Sequence, residues 1–475
     1  MSLKRNLISN FILTGSTIIL PLITFPYITR ILSNEEIGKV FFIDSFTQYF
    51  ILFASLGVPY YGVREIAKQK DDKAFVSNLV IELVLLQFIL SIFYIMLFFL
   101  LGIFIPKLTT SIDLIKIGAL MIVANAFSIE WFYQGMEKFS YITIRSLTVK
   151  VLSVICILVF VKDSDDSLIY YSILAIVTLA NACLNFGYFF RNHFQSVNFK
   201  INIFKHLKAL LVLFSINASL SVYVILDSII LGFLTDSVNV SYYNIPLKLV
   251  KIFWMIIAGI GTVFIPRISA LFRSENHDEI KKLITKSISI VLLLGLPFCV
   301  FSVFFSRDIL VIISGEKYLE AYNALQILSV IPLIIGLCNV FGTQFLLPIG
   351  KEKKILHATI IGLIVSLILN FILIPYLKFL GSAIAAVAAE LSVCIYIFFA
   401  ARREIDIAPD YKLIAQIICS LFLTAVFYLI YINYFEGIYL LIATSISYII
   451  FLLASQIFFK NPFLNSLITI KKHIK

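Results

Sequence analysis

Charge is scarce in this sequence. Asp, Glu, Lys and Arg make up 14% of its 475 residues, where a soluble domain carries about a quarter. With 61% apolar residues and a mean hydropathy of +1.01, too little polar surface exists to face water, and a soluble globular fold is excluded. Histidine is rare too: His193, His206, His277, His357 and His473 lie far apart without metal-ligand spacing, so no metal site is expected. Six cysteines, Cys156, Cys183, Cys299, Cys338, Cys394 and Cys419, all fall in apolar stretches with no Cys-x-x-Cys spacing. They read as small buried hydrophobes rather than disulfide partners. No Gly-x-x-x-x-Gly-Lys loop is present, and the segments between apolar runs, about twenty residues at most, are too short for a nucleotide-binding domain. ATP hydrolysis is excluded, and no cofactor is expected.

What the sequence does have is long apolar runs. A bilayer core needs about 20 apolar residues per helix, and such runs occur at 8–32, 38–62, 76–101, 112–134, 141–161, 168–190, 208–234, 240–265, 284–305, 323–347, 355–376, 380–402, 411–433 and 436–459. They predict an all-α integral membrane protein of about fourteen helices, since open sheets cannot satisfy their backbone in lipid. Lys4 and Arg5 precede a run too long for a signal peptide, which is expected to be the first membrane helix. The net charge of +11 does not form one basic face, so nucleic acid is not an expected partner. Instead, 27 of the 38 Lys and Arg fall on one side of the fourteen-helix map and eight on the other. The positive-inside rule then places both termini in the cytoplasm.

Landmarks recur at a fixed offset. Arg64 and Arg267 close the second and eighth runs, 203 residues apart, and Gly135-Met-Glu137-Lys138 answers Gly350-Lys351-Glu352-Lys353 at 215. The halves are expected to be parallel six-helix repeats, facing each other across a cavity. The expected lobes are 1–207 and 208–402, with two extra helices and a cytoplasmic tail at 403–475.

Ionisable groups inside apolar runs cost about 2.5–3.5 kcal/mol each at mid-membrane and mark interiors or wet cavities. Lys248 and Lys251 lie three apart, on one helix face. The second sits eleven residues, about 16 Å, along its run, so a cationic cavity wall is favoured over snorkelling to the interface. Adding the repeat offset of 203 to Asp44 puts it beside Lys248 in the other lobe, and Arg30 either lines the cavity or anchors at the interface. Asp227 either neutralises the lysines or holds a coupling ion, and Glu390, mid-span without an obvious partner, is a proton-site candidate. Glu82, Glu130 and Lys150 read as an internal bridge; Arg64, Arg267 and Glu130 are also gate candidates.

Several segments carry a resemblance: Leu20-Pro-Leu-Ile-Thr-Phe-Pro-Tyr-Ile-Thr-Arg30, Ala54-Ser-Leu-Gly57-Val-Pro-Tyr-Tyr-Gly62-Val-Arg64-Glu65-Ile-Ala67, Glu130-Trp131-Phe-Tyr-Gln134-Gly135-Met-Glu137-Lys138, Ile265-Pro266-Arg267-Ile-Ser269, Leu347-Pro-Ile-Gly350-Lys-Glu352-Lys353 and Leu369-Asn370-Phe-Ile-Leu-Ile-Pro375. The chain resembles the bacterial O-antigen or polysaccharide flippases, Wzx type, of the multidrug/oligosaccharidyl-lipid/polysaccharide exporter superfamily. The resemblance implies a transporter of the bacterial inner membrane that turns over undecaprenyl-pyrophosphate-linked oligosaccharide by alternating access coupled to H+ or Na+. It implies membrane lipids, an O-antigen polymerase and a chain-length regulator as partners. An anionic carrier head suits a basic cavity, and the lipid II flippases of the superfamily use cavity arginines where this chain has Lys248 and Lys251. Two rivals stand beside it: a multidrug exporter, for which an acidic cavity is expected, and a membrane polymerase or glycosyltransferase, for which a large outer loop is expected. The longest outer segment, 306–322, is short for that purpose.

Overall fold

In lipid a backbone can bond only to itself or to a neighbouring chain segment, and an isolated apolar run therefore closes as a helix. The computed structural model describes residues 3–195, 201–261, 264–406 and 409–461, with side chains for 12–13, 15–195, 201–214, 225–261, 264–406 and 409–461. Side chains of Lys4 and Arg5, and all of Lys200, His473 and the expected cytoplasmic tail beyond 461, lie outside these ranges. Every regular element among the described residues is helical.

Contacts divide the chain into two compact units, Met1–Ser241 and Tyr242–Lys475. The first holds α1 (Leu3–Ile31), α2 (Asn34–Ser55), α3 (Val58–Lys68), α4 (Lys73–Phe104), the single turn α5 (Pro106–Thr109), α6 (Ile112–Ala126), α7 (Glu130–Gly135), α8 (Phe139–Phe160), α9 (Ser167–Asn192) and α10 (Phe204–Leu234). α11 (Ser237–Gly261) crosses the boundary. The second unit continues with α12 (Phe264–Arg273), α13 (His277–Phe304), α14 (Ser306–Ser314), a 3-10 stretch Glu316–Ala321, α15 (Tyr322–Leu328), α16 (Ile331–Asn339) and a π-helical stretch Val340–Leu346. α17 (Glu352–Leu377), α18 (Phe379–Arg402), α19 (Tyr411–Tyr431) and α20 (Gly437–Phe459) complete it. The packing boundary at Ser241 falls one helix beyond the lobe boundary expected at 207, because α10 packs on α2 and α3 of the first unit. Twelve helices among the described residues are long and apolar enough to cross a membrane, and shorter apolar stretches at Gly15–Ile31 and Ile225–Leu234 occupy the first and seventh expected runs.

Three expected spans are more broken than their hydropathy suggests. The second divides at Leu56 and Gly57, both left-handed (φ 44° and 74°), and Pro59 then stands in the first turn of α3. Gly57 is required there twice over: its φ suits glycine, and a β-carbon would stand 2.9 Å from the Phe214 backbone nitrogen of α10. The fourth divides between α6 and α7. The tenth changes from α to π geometry at Val340, where Leu347 N–H bonds back to Gly342 O at 2.9 Å. The segment after residue 305, expected to be an outer loop, instead folds as α14 and the 3-10 stretch.

The α3 and α7 segments pack at glycine distance. A β-carbon on Gly62 would run into the Trp131 ring, and one on Gly135 would stand 2.7 Å from Ile66 Cβ. Gly62→Ala is therefore expected to lower stability by about 1–3 kcal/mol through overpacking. Gly187→Ala, with no atom within 4 Å of the added carbon, should instead gain up to about 1 kcal/mol of helix propensity. Thermal unfolding of the detergent-solubilised protein checks both, and equal shifts would refute the packing argument.

Similar caps occur near the landmarks of the expected repeat. Asp72 accepts Phe75 N–H (2.9 Å) to start α4, and Asn276 accepts Glu279 N–H (3.2 Å) to start α13. In the two Gly-x-Glu-Lys turns the same pair of bonds closes a helix: Lys138 N–H to Tyr133 O (2.8 Å) with Glu137 N–H to Gln134 O (3.0 Å), and Lys351 N–H to Leu346 O (3.0 Å) with Gly350 N–H to Leu347 O (3.1 Å). These are Schellman closures. Their left-handed residues are Glu137 (φ 56°) and Gly350 (φ 75°), so the structural register is two residues off the alignment of the glycines.

Candidate functional site

Charged side chains survive in an apolar protein only where partners or water compensate them, and the first unit does this in two places. α4 carries Glu82 fully buried. Its carboxylate accepts Asn202 N–H at 2.8 Å, Lys205 Nζ at 2.7 Å and His206 Nε2 at 3.0 Å. Tyr61 of α3 lies 2.8 Å from the other ring nitrogen, His206 Nδ1. With a proton on Nε2 the ring donates to Glu82, leaving Nδ1 to the Tyr61 hydroxyl. The segment entering α10 is thereby clasped to α3 and α4.

The second place joins α7, α8 and α9. Arg145, 4% exposed at its side chain, donates Nη2 to Glu130 Oε2 at 2.8 Å, while Glu130 stays 38% exposed. Arg145 Nη1 also donates to Asn185 Oδ1, and Tyr133 OH donates to Asn185 O at 2.6 Å. Lys150 stands near enough to feel both Glu130 and Arg145. The internal bridge expected among Glu82, Glu130 and Lys150 is thus two separate bridges, to Lys205 and to Arg145. Beyond the end of α9, Lys138 Nζ sits 2.8 Å from His193 Nε2. Burial and the lysine charges push the His193 ring down to about 4, so it is neutral and can accept that proton.

One gate candidate, Arg64, lines a groove of about 530 Å³ together with Pro59, Tyr60, Val63 and Gln134. Arg64 is exposed, pairs with Glu65 at 2.9 Å and lies 5.5 Å above the Tyr61 ring. Gln134 donates to Glu130 Oε1 at 3.5 Å, so the groove leads to the Arg145 bridge. Arg30, in the last turn of α1, is exposed; Asp44, half-buried on α2, accepts Gln48 Nε2 at 3.4 Å. Asp227 is buried on α10.

In the second unit Lys248 and Lys251 are half-buried on α11, one turn apart and following Pro246. Arg267 is exposed and stands 4.0 Å from Glu279. Glu390 is buried on α18, within electrostatic reach of Cys338 and Cys394. A polar contact not anticipated from sequence ties Ser287 Oγ of α13 to Gln344 Oε1 in the π-helical stretch at 2.7 Å. No cluster of three metal-ligating side chains exists among the described residues. Nor could the clasp on Glu82 be foreseen: the carboxylate was legible as an ion inside an apolar run, but its partners lie some 120 residues away, where no periodicity points to them.

The family model described as polysaccharide biosynthesis protein matches residues 3–272, more than half of the chain, and that described as MatE matches residues 213–372. A protein named "Putative O-antigen transporter" from Escherichia coli (strain K12) is 26% identical over 82% of this chain and 94% of its own. Another of that name from Shigella dysenteriae is 25% identical over 84% of this chain and its own full length. Among solved structures, the inward closed conformation of the lipid II flippase MurJ superposes with a TM-score of 0.74 at 16% identity, covering 96% of this chain and 98% of that one. An inward-facing multidrug MATE transporter gives 0.58 at 16% identity, with 81% and 93% covered. The chain has the fold these transporters share.

Proposed function

We propose, from the premise that this chain belongs to the polysaccharide biosynthesis protein family, that it is a flippase carrying undecaprenyl-pyrophosphate-linked oligosaccharide repeat units across a bacterial inner membrane. The observation that carries the reading is the lysine pair: Lys248 and Lys251, half-buried one turn apart in a long apolar helix, are the groups an anionic carrier head needs. The relatives named as O-antigen transporters support the cargo class. In this reading Arg30 and Asp44 contribute to the substrate path, Asp227 and Glu390 serve the coupling ion, H+ or Na+, and Arg64, Arg267 and Glu130 gate access. Fourteen spans place both termini in the cytoplasm, the repeat lobes are 1–207 and 208–402, and a polymerase and chain-length regulator receive the product.

Deleting the gene is expected to abolish surface polysaccharide while lipid-linked repeat units accumulate on the cytoplasmic face. Intact and inverted membrane vesicles probed with a glycan-cleaving enzyme report the facing. Repeat units that are never assembled, or that reach the outer face and stay unpolymerised, would replace this reading with an enzymatic one. The MatE match at residues 213–372 favours one alternative, export of organic cations. Normal polysaccharide with raised sensitivity to such cations would establish it.

A further inference from the structure

Between α8 and α9 runs an open groove of about 580 Å³ whose lining changes character along its length. At the end where α8 begins and α9 finishes, it holds two arginines. Arg191 is exposed in the last turn of α9, and Arg145 is buried in the wall about 9 Å into α8. The Tyr141 and Tyr188 rings stack there with centroids 4.2 Å apart, and the Arg145 guanidinium lies 5.9 Å from the Tyr141 centroid. Tyrosine pairs at this depth suit the interface between headgroups and hydrocarbon.

The same wall has donors to spare. Arg145 Nε is buried without an acceptor among the described atoms, as is Nδ2 of Asn185, which is fully buried and does not line the groove, although Arg145 is already bridged to Glu130 and to Asn185 Oδ1. The exposed Arg191 charge at the mouth, with the Arg145 guanidinium and its spare donor in the wall behind it, favours a negative oxygen there. Next to them the groove is empty by design of sequence: nothing stands within 4 Å of a β-carbon on Gly187. Gly187 and Arg191 are four apart, on one face of α9.

Away from the arginines the polarity ends. α8 presents Ile144, Val151, Leu152, Ile155 and Val159, each at least 40% exposed, as one stripe continuing from the groove. A soluble anion would use the arginines and have no use for the stripe; a molecule with an anionic head and a hydrocarbon tail uses both.

We propose that the α8–α9 groove is a binding site for an anionic phospholipid, with its phosphate beside Arg191 and the Arg145 wall and an acyl chain passing over Gly187 along the α8 stripe. The site belongs to the first unit alone and does not involve the lysines of α11, so its test is independent of the cargo. Full-length protein is reconstituted in nanodiscs containing phosphatidylglycerol and phosphatidylcholine in equal amounts, and the lipid retained on release is counted by mass spectrometry. Wild type is expected to retain phosphatidylglycerol preferentially. Arg191→Ala should lower that retention about fivefold, the effect of removing one basic group near the membrane surface. Gly187→Leu, which keeps both arginines but fills the gap, should lower it as well. Neither change touches the bridges at Glu130 or Glu82, and both variants should unfold at or above the wild-type temperature. Equal retention of the two lipids by wild type, or unchanged retention in both variants, overturns the proposal. Displacement of the lipid by inorganic phosphate would assign the site to a free anion and overturn it equally.

Discussion

Replacing Lys248 or Lys251 by Ala is expected to cut surface polysaccharide tenfold to a hundredfold while the amount of protein in the membrane stays unchanged. The size follows from the contact removed, since a hydrogen bond to a charged group is worth about 1.5–3 kcal/mol, roughly one to two factors of ten in rate. Both lysines are half-buried in the body of α11 rather than at its ends, and an apolar helix bears that cost only where the charge has a use. Arg at either position should rescue in part: it keeps the charge but presents a planar fork instead of a compact ammonium. Gln separates this reading from simple anchoring, because a lysine that only reaches for the interface tolerates a neutral polar substitute. Asp227→Asn should be milder than either Ala change if Asp227 balances charge, and as severe if it carries the coupling ion. Normal polysaccharide in both Ala variants would end the role assigned to the pair.

The second large effect concerns stability and runs against intuition. Breaking the Arg145–Glu130 bridge from the glutamate side is expected to cost more than breaking it from the arginine side. Glu130→Gln strands a guanidinium that is 4% exposed, whereas Arg145→Met leaves a carboxylate that is 38% exposed and can hydrate. An uncompensated buried charge costs about 3–5 kcal/mol, while replacing both members with well-packed neutral groups is often close to neutral. The order of unfolding temperatures should therefore be wild type and the double variant highest, Arg145→Met next, Glu130→Gln lowest. A larger drop for Arg145→Met would refute the burial argument. Glu130→Gln with normal stability and lost transport would instead favour a gate.

The architecture was largely legible because lipid leaves a backbone few choices. All fourteen apolar runs coincide with helical segments, and twelve of the helices qualify as spans among the described residues. What hydropathy does not register is a change of direction inside a run. Leu56 and Phe127 are as apolar as their neighbours, yet one is left-handed and the other ends α6. The two Gly-x-Glu-Lys turns differ in register from the glycine alignment: the glycines align at 215, whereas the Schellman turns align on Glu137 and Gly350 because glutamate takes the left-handed position in one of them. Charges inside runs were found by simple inspection. Their partners were not, since Glu82 with His206 and Glu130 with Arg145 are chosen by tertiary packing and not by helical spacing.

The clasp on Glu82 also sets an order of events during synthesis. α4 is made before Asn202, Lys205 and His206 exist, and these residues follow Glu82 by 120, 123 and 124 positions. At about 5–20 residues per second, the carboxylate spends on the order of ten seconds without any of its final partners. A helix with an uncompensated charge settles poorly into hydrocarbon, so α4 reaches its final seat only when the start of α10 arrives. The ribosome must therefore travel past α9 and into α10 before α4 can finish folding.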